Sequence, residues 1–246
     1  MSGELSRRQL LAALSLSSAV LGCKLVGKEI NPSTREYLFH KGRRRPTEDL
    51  LLLIAGATDT PEDLAKHGVI DLLRDHGCRS DILVVYRLAP SYVIGEVTED
   101  IRSQVVAAGE RRRRSWLGMS AGGLVTFEYA RQFPDDVDRI VALAPFLGPS
   151  LIIDEIDEAG GLADWEPSPP VEAIERTWRW LRGYATGEPR PRLDLLWGEK
   201  DPGKRALELL AAALPEDHRH RGDGDHEWPS FMSLLEGFLG EYGDAL

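Results

Sequence analysis

Residues 115–123 read Ser-Trp-Leu-Gly-Met-Ser-Ala-Gly-Gly, and the rest of the chain can be interpreted around them. They contain a complete G-x-S-x-G pattern with Ser120 at its centre. The apolar residues before the pattern predict a short strand over 115–118, and those after it predict a helix over 124–133. A sharp strand-to-helix turn exposes a serine hydroxyl and requires small neighbours, so Ser120 is a candidate nucleophile. The alternative is a turn that merely joins the two elements.

Other apolar runs predict the remaining strands of a parallel sheet. Residues 49–56 read Asp-Leu-Leu-Leu-Leu-Ile-Ala-Gly, a continuous apolar run that is typical of a strand buried on both faces. Further strands are predicted over 80–86, 139–144, 193–197 and 218–221, and helices over 61–75, 94–108 and 228–239. Strands that alternate with helices indicate an α/β fold, with a mostly parallel sheet covered by helices on both faces.

A base is needed to accept the proton of Ser120, and the chain offers His40, His67, His76, His218, His220 and His226. In proteins with this turn the base comes from the loop after the last strand, in the chain order serine, acid, histidine. His226 lies in a glycine-rich loop, residues 222–228, just before the closing helix. The other histidines either precede Ser120 or fall in a charged strand, so His226 is the predicted base. The alternative is an ordinary surface histidine.

The acid that would orient His226 should follow the strand between serine and histidine. Asp201 does so, in Gly-Glu-Lys-Asp directly after the strand over 193–197. Its carboxylate would hold the imidazole and stabilise the imidazolium that forms during catalysis. Glu199 and Asp194 are rivals, but Glu199 lies early in the turn and Asp194 lies within the strand. Asp201 is therefore the predicted acid.

Acyl transfer also needs two N–H donors for the negative charge that develops on the carbonyl oxygen. The N–H of Ala121, at the start of the predicted helix, is expected to be the first donor. The second is expected from the loop after the strand over 49–54, from Ala57, with Thr58 as the second choice. In many proteins with this serine turn a histidine precedes the glycine of this loop, but here Ala55 stands in its place.

With the serine turn, the Asp201 turn and the late histidine in this order, the chain from about residue 49 onward resembles the α/β-hydrolase superfamily. It is most similar to bacterial carboxylesterase-type members whose last motif reads His-x-Trp, here residues 226–228. The resemblance implies an eight-stranded core sheet, no cofactor, and attack by Ser120 on an ester-like carbonyl. The segment over about 145–191 would be a helical cap over the active site. Its aromatic residues would either line an acyl pocket or pack onto the core.

The three side chains predict a serine hydrolase that cleaves a carboxylic ester or thioester through an acyl-enzyme. No zinc-type spacing and no phosphate-binding glycine pattern occurs in the sequence. Two alternatives stay open: an acyltransferase with the same triad, and a non-catalytic binding lipoprotein on the same fold. The expected partner is a small ester or acyl compound, and the sequence leaves its identity and the oligomeric state open.

Length and charge exclude other classes of protein. A chain of 246 residues suits one α/β domain. Its net charge of −10 argues against nucleic-acid binding, which needs a dominant basic surface. The runs 43–45 and 111–114 are interpreted as solvated arginines that flank strands, rather than as phosphate sites. Two cysteines, Cys23 and Cys78, imply no disulfide framework.

The first 22 residues resemble an export signal. Arg7 and Arg8 precede an uncharged stretch over 10–21 that is rich in Leu, Ala and Ser. A helix over that stretch would be roughly 18 Å long, well short of the ~30 Å hydrocarbon core of a bilayer. It therefore fits a signal peptide better than a membrane-spanning helix. The paired arginines resemble the twin-arginine signal of bacteria and archaea.

Residues 20–23, Val-Leu-Gly-Cys, resemble a lipobox, the motif whose cysteine is lipidated and becomes the first residue of the mature chain. This resemblance implies removal of residues 1–22, export, and attachment to a membrane through Cys23. Residues 23–48 would then be an N-terminal segment that precedes a hydrolase domain over 49–246. The alternative is a cytoplasmic protein in which Cys23 is buried beside a short amphipathic helix.

Overall fold

A computed structural model of the protein describes residues 36–41, 47–86, 94–169, 171–243 and 246. The predictions for the signal segment 1–22, for Cys23 and for the arginines at 43–45 lie outside these residues. Within the described part of the chain, no helix has both the length and the apolar character needed to cross a bilayer.

Strands and helices alternate along the chain, as the sequence predicts. The strands are β1 (Glu36–His40), β2 (Asp49–Ile54), β3 (Asp81–Tyr86), β4 (Arg113–Met119), β5 (Arg139–Leu143), β6 (Arg192–Gly198) and β7 (Arg219–Gly222). The helices are α1 (Pro61–His67), α2 (Val69–Asp75), α3 (Ile94–Ala107), α4 (Ala121–Gln132), α5 (Ser150–Glu158), α6 (Ala173–Thr186), α7 (Lys204–Ala212) and α8 (Trp228–Tyr242).

The strands form one sheet in the order β1-β3-β2-β4-β5-β6-β7. β1 is antiparallel to β3, with Leu38 opposite Val84, and the other neighbouring pairs are parallel. The predicted α/β class with a mostly parallel sheet is therefore confirmed. The resemblance implied eight strands, and the described residues form seven.

β2 explains why one strand can be apolar at every position. Residues 50–54 are fully buried, and alternate side chains enter different clusters on the two faces of the sheet. Helices α3 to α7 contribute side chains to the cluster that contains Leu52, whereas α1, α2 and α8 contribute to the cluster that contains Leu53. A strand covered on both faces has no solvent side, so no polar residue interrupts the run.

The helix predicted over 61–75 is divided in two. Gly68 has a φ of +69°, a left-handed conformation that ends α1 and begins α2. The start of α1 is capped as its sequence suggests, since the backbone N–H of Asp63 donates to Thr60 Oγ1 and that of Thr60 donates to Asp63 Oδ2.

Two elements were not expected from the sequence. β1 is an edge strand whose Leu38 and Phe39 are 42 % and 45 % exposed, so it lacks the alternation of a half-buried strand. It extends the sheet into residues 23–48, for which the sequence predicts only a segment that precedes the hydrolase domain. α7 has buried residues at 206, 207 and 210, a helical spacing from which it could have been predicted.

The segment 145–191 contains α5 and α6, and its three tryptophans pack in the core. Trp178 is fully buried and donates from Nε1 to the carbonyl of Leu147 at 2.8 Å. Thr177 Oγ1 donates to Glu128 at 3.1 Å, which joins α6 to α4. Arg205 of α7 pairs with Asp154 and Asp157 of α5. Of the two roles considered for these aromatics, the contacts support core packing rather than an acyl pocket.

The arginine run 111–114 lies among carboxylates at the amino ends of the central strands. Arg111 Nη1 is 3.0 Å from Asp81, and Arg113 Nη2 is 3.0 Å from Asp49. These pairings offset the positive charge of the run. The arginines were expected to be solvated and to flank a strand, but Arg113 and Arg114 belong to β4 and the Arg111 side chain is 12 % exposed.

Asp194 of β6 is a fully buried carboxylate that joins three adjacent strands. It accepts hydrogen bonds from Arg139 Nε of β5 at 2.9 Å and from Arg192 Nε at 3.0 Å, and His220 Nε2 of β7 lies 3.3 Å away. Burial alone raises the pKa of Asp194, but the contacts with His220, Arg192 and Arg139 together lower that pKa well below its ordinary value. The cluster therefore stabilises β5, β6 and β7 at the end of the sheet away from Ser120.

Asp194→Asn should lower the free energy of unfolding at pH 7 by about 3–5 kcal/mol, because it leaves the guanidinium of Arg139 buried without its counter-charge. Urea unfolding measures the change. Glu208→Gln is the control: its pair with Lys204 is exposed on α7, with 3.6 Å between Nζ and Oε1. Losing that pair should cost less than about 0.5 kcal/mol. A loss for Asp194→Asn no larger than the control's would contradict a stabilising role of the cluster.

The stabilisation from Asp194 should also depend on pH. Because folding lowers its pKa, the contribution is complete above the ordinary aspartate value of about 3.9 and is lost as pH falls toward the folded-state pKa. The difference in unfolding free energy between wild type and Asp194→Asn should be constant from about pH 7 to 5 and shrink below about pH 4. A difference that grows on acidification would contradict this sign.

Candidate active site

Ser120 lies between β4 and α4 in a backbone conformation that residues other than glycine rarely adopt, with φ 50° and ψ −118°. Such a conformation costs about 1–3 kcal/mol and persists only where the surroundings impose it. Here the N–H of Ser120 donates to the carbonyl of Leu143 at 3.0 Å, and its carbonyl accepts from the N–H of Phe146 at 2.8 Å. β5 and the loop after it therefore hold the serine in place.

The glycines of the G-x-S-x-G pattern are required by close contacts. A Cβ at Gly122 would lie 2.2 Å from the carbonyl oxygen of Ile54 and 2.5 Å from that of Ala55. A Cβ at Gly118 would lie 2.5 Å from Thr126 Oγ1. The first turn of α4 thus rests directly on the end of β2, and only glycine permits this approach.

The structure brings His226 to Ser120. His226 Nε2 is 2.9 Å from Ser120 Oγ, although 106 residues separate the two along the chain. His226 lies in the loop between β7 and α8, where Ser230 Oγ accepts from the N–H of Asp225 at 2.9 Å and donates to its carboxylate at 2.7 Å. The edge of the Phe231 ring packs on the imidazole, with 5.0 Å between the ring centres. These contacts fix the position of the imidazole.

Asp201 completes the chain of hydrogen bonds. Its Oδ2 lies 2.7 Å from His226 Nδ1, and its Oδ1 accepts from the N–H of Gly203 at 2.7 Å. Both carboxylate oxygens therefore have partners. The side chain is 1 % exposed, so water has little access to it. The rivals lie elsewhere: Asp194 belongs to the buried cluster described above, and Glu199 faces solvent beside Arg221 at 3.3 Å.

The other histidines of the described chain have different surroundings. His220 contacts Asp194, and His218 lies 3.7 Å from Asp217. His76 Nδ1 lies 3.0 Å from the carbonyl of Leu72. His67 of α1 is stacked on Trp228 with 4.4 Å between the rings. Among the residues that the structure describes, no group of three His, Cys, Asp or Glu side chains could hold a metal ion.

The two predicted N–H donors lie in segments adjacent to Ser120. Ala121 is the first residue of α4, and Ala57 follows Gly56 in the loop after β2. A Cβ at Gly56 would lie 3.7 Å from the Cβ of Ser120, so this loop borders the serine. Within the described chain, neither N–H donates to a protein acceptor. Thr58, the second choice, lies in the same turn.

Asp59 is a carboxylate near the site that the sequence does not single out. Its Oδ2 accepts from the N–H of Gly56 at 2.7 Å. Burial is the largest influence and raises the pKa of Asp59; the Gly56 N–H opposes this rise, Asp63 adds to it, and His67 and His226 oppose it. The signal that could have found Asp59 is a carboxylate three residues after Gly56, within the loop assigned to the second N–H donor.

The sequence matches no protein-family profile, and no curated protein is significantly similar to it. Solved structures are similar in three dimensions. Est1E from Butyrivibrio proteoclasticus has a TM-score of 0.57 and 17 % identity, over 85 % of this chain and 92 % of that one. A monoacylglycerol lipase from Paleococcus ferrophilus has a TM-score of 0.54 and 17 % identity, over 85 % and 99 %. The fluorophosphonate-binding serine hydrolase F of Staphylococcus aureus has 0.54 and 14 %, over 84 % and 96 %.

At such low identity these likenesses concern the fold. Together with the sheet order and the turn at Ser120, they show that the chain has the α/β-hydrolase fold. Esterases, lipases and serine hydrolases are among the structures that share it. Because one fold hosts many activities, the function has to be argued from the site itself.

Gly122→Ala should destabilise the protein by about 3 kcal/mol or more, because the added methyl group would overlap the carbonyl oxygens at the end of β2. Thermal and urea unfolding measure the loss. Gly237→Ala is the matched control, since Gly237 lies in α8 with nothing within 4 Å of an added Cβ. That change should stabilise the protein by about 0.5–1 kcal/mol. A Gly122→Ala protein as stable as wild type would show that α4 can move away from β2 at no cost.

Proposed function

We propose that this protein is a serine hydrolase that cleaves a carboxylic ester or thioester through an acyl-enzyme on Ser120. The observation that carries the proposal is the continuous chain of contacts from Ser120 Oγ to His226 Nε2, and from His226 Nδ1 to Asp201 Oδ2, at 2.9 and 2.7 Å. This series of contacts begins at Ser120, which lies on a strained turn, the position where this chemistry needs its nucleophile. Similarity in fold to esterases and lipases adds support.

In the first half of the reaction, Ser120 Oγ attacks the ester carbonyl carbon while its proton passes to His226 Nε2. The carbonyl oxygen becomes an oxyanion, and the N–H groups of Ala121 and Ala57 are the donors expected to bind it. When the intermediate collapses, the bond to the alcohol oxygen breaks and His226 returns the proton to that oxygen. The acyl group then remains on Ser120.

In the second half, a water molecule attacks the acyl carbon and gives its proton to His226. The second tetrahedral intermediate releases the carboxylic acid, and the proton returns to Ser120 Oγ. Asp201 remains ionised throughout, since its task is to orient the imidazole and stabilise the imidazolium. Its burial favours this role because a charge interacts more strongly where water is excluded.

A fluorophosphonate should label the purified protein on Ser120, as identified by mass spectrometry of the labelled peptide. Ser120→Ala should abolish the label, because it removes the hydroxyl that His226 contacts. Ser103→Ala is the control, since Ser103 is exposed on α3 with its hydroxyl bonded only to the carbonyl of Asp100. A well-folded wild-type protein that takes no label would overturn the proposal and favour a binding protein on this fold.

Replacing either partner of Ser120 should remove most of the activity. With p-nitrophenyl esters as substrates, His226→Ala and Asp201→Asn should each lower kcat by about 10³–10⁴-fold or more, because base and acid act as one unit. His218→Ala, in the turn before β7 and away from the Ser120 contacts, should leave kcat unchanged. Full activity in His226→Ala would exclude the proposed base.

An alcohol acceptor added to the assay should leave the free acid as the main product, whereas mostly transesterified product would indicate an acyltransferase.

We further propose that residues 1–22 are a cleaved export signal and that Cys23 is lipidated. The twin arginines, the uncharged stretch and the cysteine occur in the order that such signals need. In a bacterial host with twin-arginine export, the protein expressed from the full sequence should be recovered with membranes in a form that begins at lipidated Cys23, and Cys23→Ser should abolish the lipidation. An unmodified Cys23 thiol in the purified protein would contradict the lipidation proposal.

A further inference from the structure

The loop between β2 and α1 is closed by Asp59. The N–H of Gly56 donates to Asp59 Oδ2 at 2.7 Å, and the N–H of Asp59 donates back to the carbonyl of Gly56 at 3.3 Å. Ala57 and Thr58 therefore form the tip of a turn whose two ends are joined. The space beside Gly56 is bordered on one side by the Asp59 carboxylate, 2.6 Å from an added Cβ, and on the other by Ser120.

The carboxylate of Asp59 is not needed to start α1. That helix has its own cap, in which Thr60 Oγ1 donates to Asp63 Oδ2 at 2.6 Å and the backbone N–H groups of both residues are bonded across the same pair. The bond from Gly56 to Asp59 thus orders the loop beside Ser120. It also uses the N–H of Gly56, which leaves the N–H of Ala57 and, as the second choice, that of Thr58 for another acceptor.

We infer that Asp59 is a positioning residue for the reaction at Ser120, which holds the 56–59 turn so that the N–H of Ala57 is directed at the oxyanion. The inference rests on the proposed function.

The test compares Asp59→Ala with Asp59→Asn in the full-length protein. Asp59→Ala removes the acceptor for the Gly56 N–H, so kcat should fall by about 100-fold, close to the loss of one oxyanion donor. KM should stay within about threefold, because the substrate's ground state does not use that donor. Asp59→Asn keeps an oxygen acceptor, so its kcat at the alkaline plateau should stay within about fivefold of wild type.

The split between kcat and KM supplies a readout that a merely structural role would not move. A loss confined to kcat in Asp59→Ala, largely restored in Asp59→Asn, indicates a donor that is used only in the transition state. A loss of the same size in KM, or no difference between the two variants, would overturn the inference.

Thr60→Ala is the matched control for loosening of the helix start. It removes part of the cap, at a cost of about 1 kcal/mol in stability, and should leave kcat per labelled Ser120 unchanged. Equal losses of kcat in Thr60→Ala and Asp59→Ala would overturn the inference, since any disturbance of the helix start would then suffice. If the wild type is active and Asp59→Ala has the same kcat, only the inference about Asp59 is overturned. If the wild type is neither labelled nor able to hydrolyse esters, the proposed function is overturned as well.

Discussion

Between the end of β2 and the first turn of α4 there is room for a glycine and for no larger residue, and the arrangement of the site follows from that contact. Gly122 touches the carbonyl oxygens of Ile54 and Ala55, so α4 must begin immediately after Ser120. Ser120 has a positive φ of 50°, and Ala144, directly after β5, has one of 44°. β5 binds the N–H of Ser120 and the loop after β5 binds its carbonyl, which keeps the strained turn in place.

The two ends of the sheet carry different kinds of residue: candidate site residues at one end and paired charges at the other. At the carboxyl ends of β2, β4, β6 and β7 lie the segments that carry Gly56, Ser120, Asp201 and His226. The amino-terminal halves of the central strands carry paired charges, such as the contacts of Asp194 and those of Arg111 with Asp81. Parallel strands bring chain-distant loops to one edge, so residues 106 positions apart can meet there while the other edge holds the sheet together.

Much of the fold and of the candidate site could be predicted from the sequence, because the patterns that specify them lie in short stretches of the chain. The run 50–54 is apolar at each position, which only a doubly covered strand allows, and the G-x-S-x-G pattern carries the geometry of its own turn. Chain order then selected His226 and Asp201, which the structure brings to Ser120. Asp59 was missed because its role depends on a hydrogen bond inside a loop. The packing of Trp178 was left open because an aromatic residue in an insertion can face either a pocket or a core.

The two edge strands of the sheet differ in how they meet solvent. β7 has four residues and exposes Arg219 and Arg221, and charge on a short edge discourages the addition of another strand. β1 is longer, and its Leu38 and Phe39 are the largest exposed apolar side chains on any strand of the described chain. Concentrated solutions of the protein are therefore expected to self-associate through the β1 edge first, and a lysine at position 38 would be the simplest way to keep such solutions monodisperse.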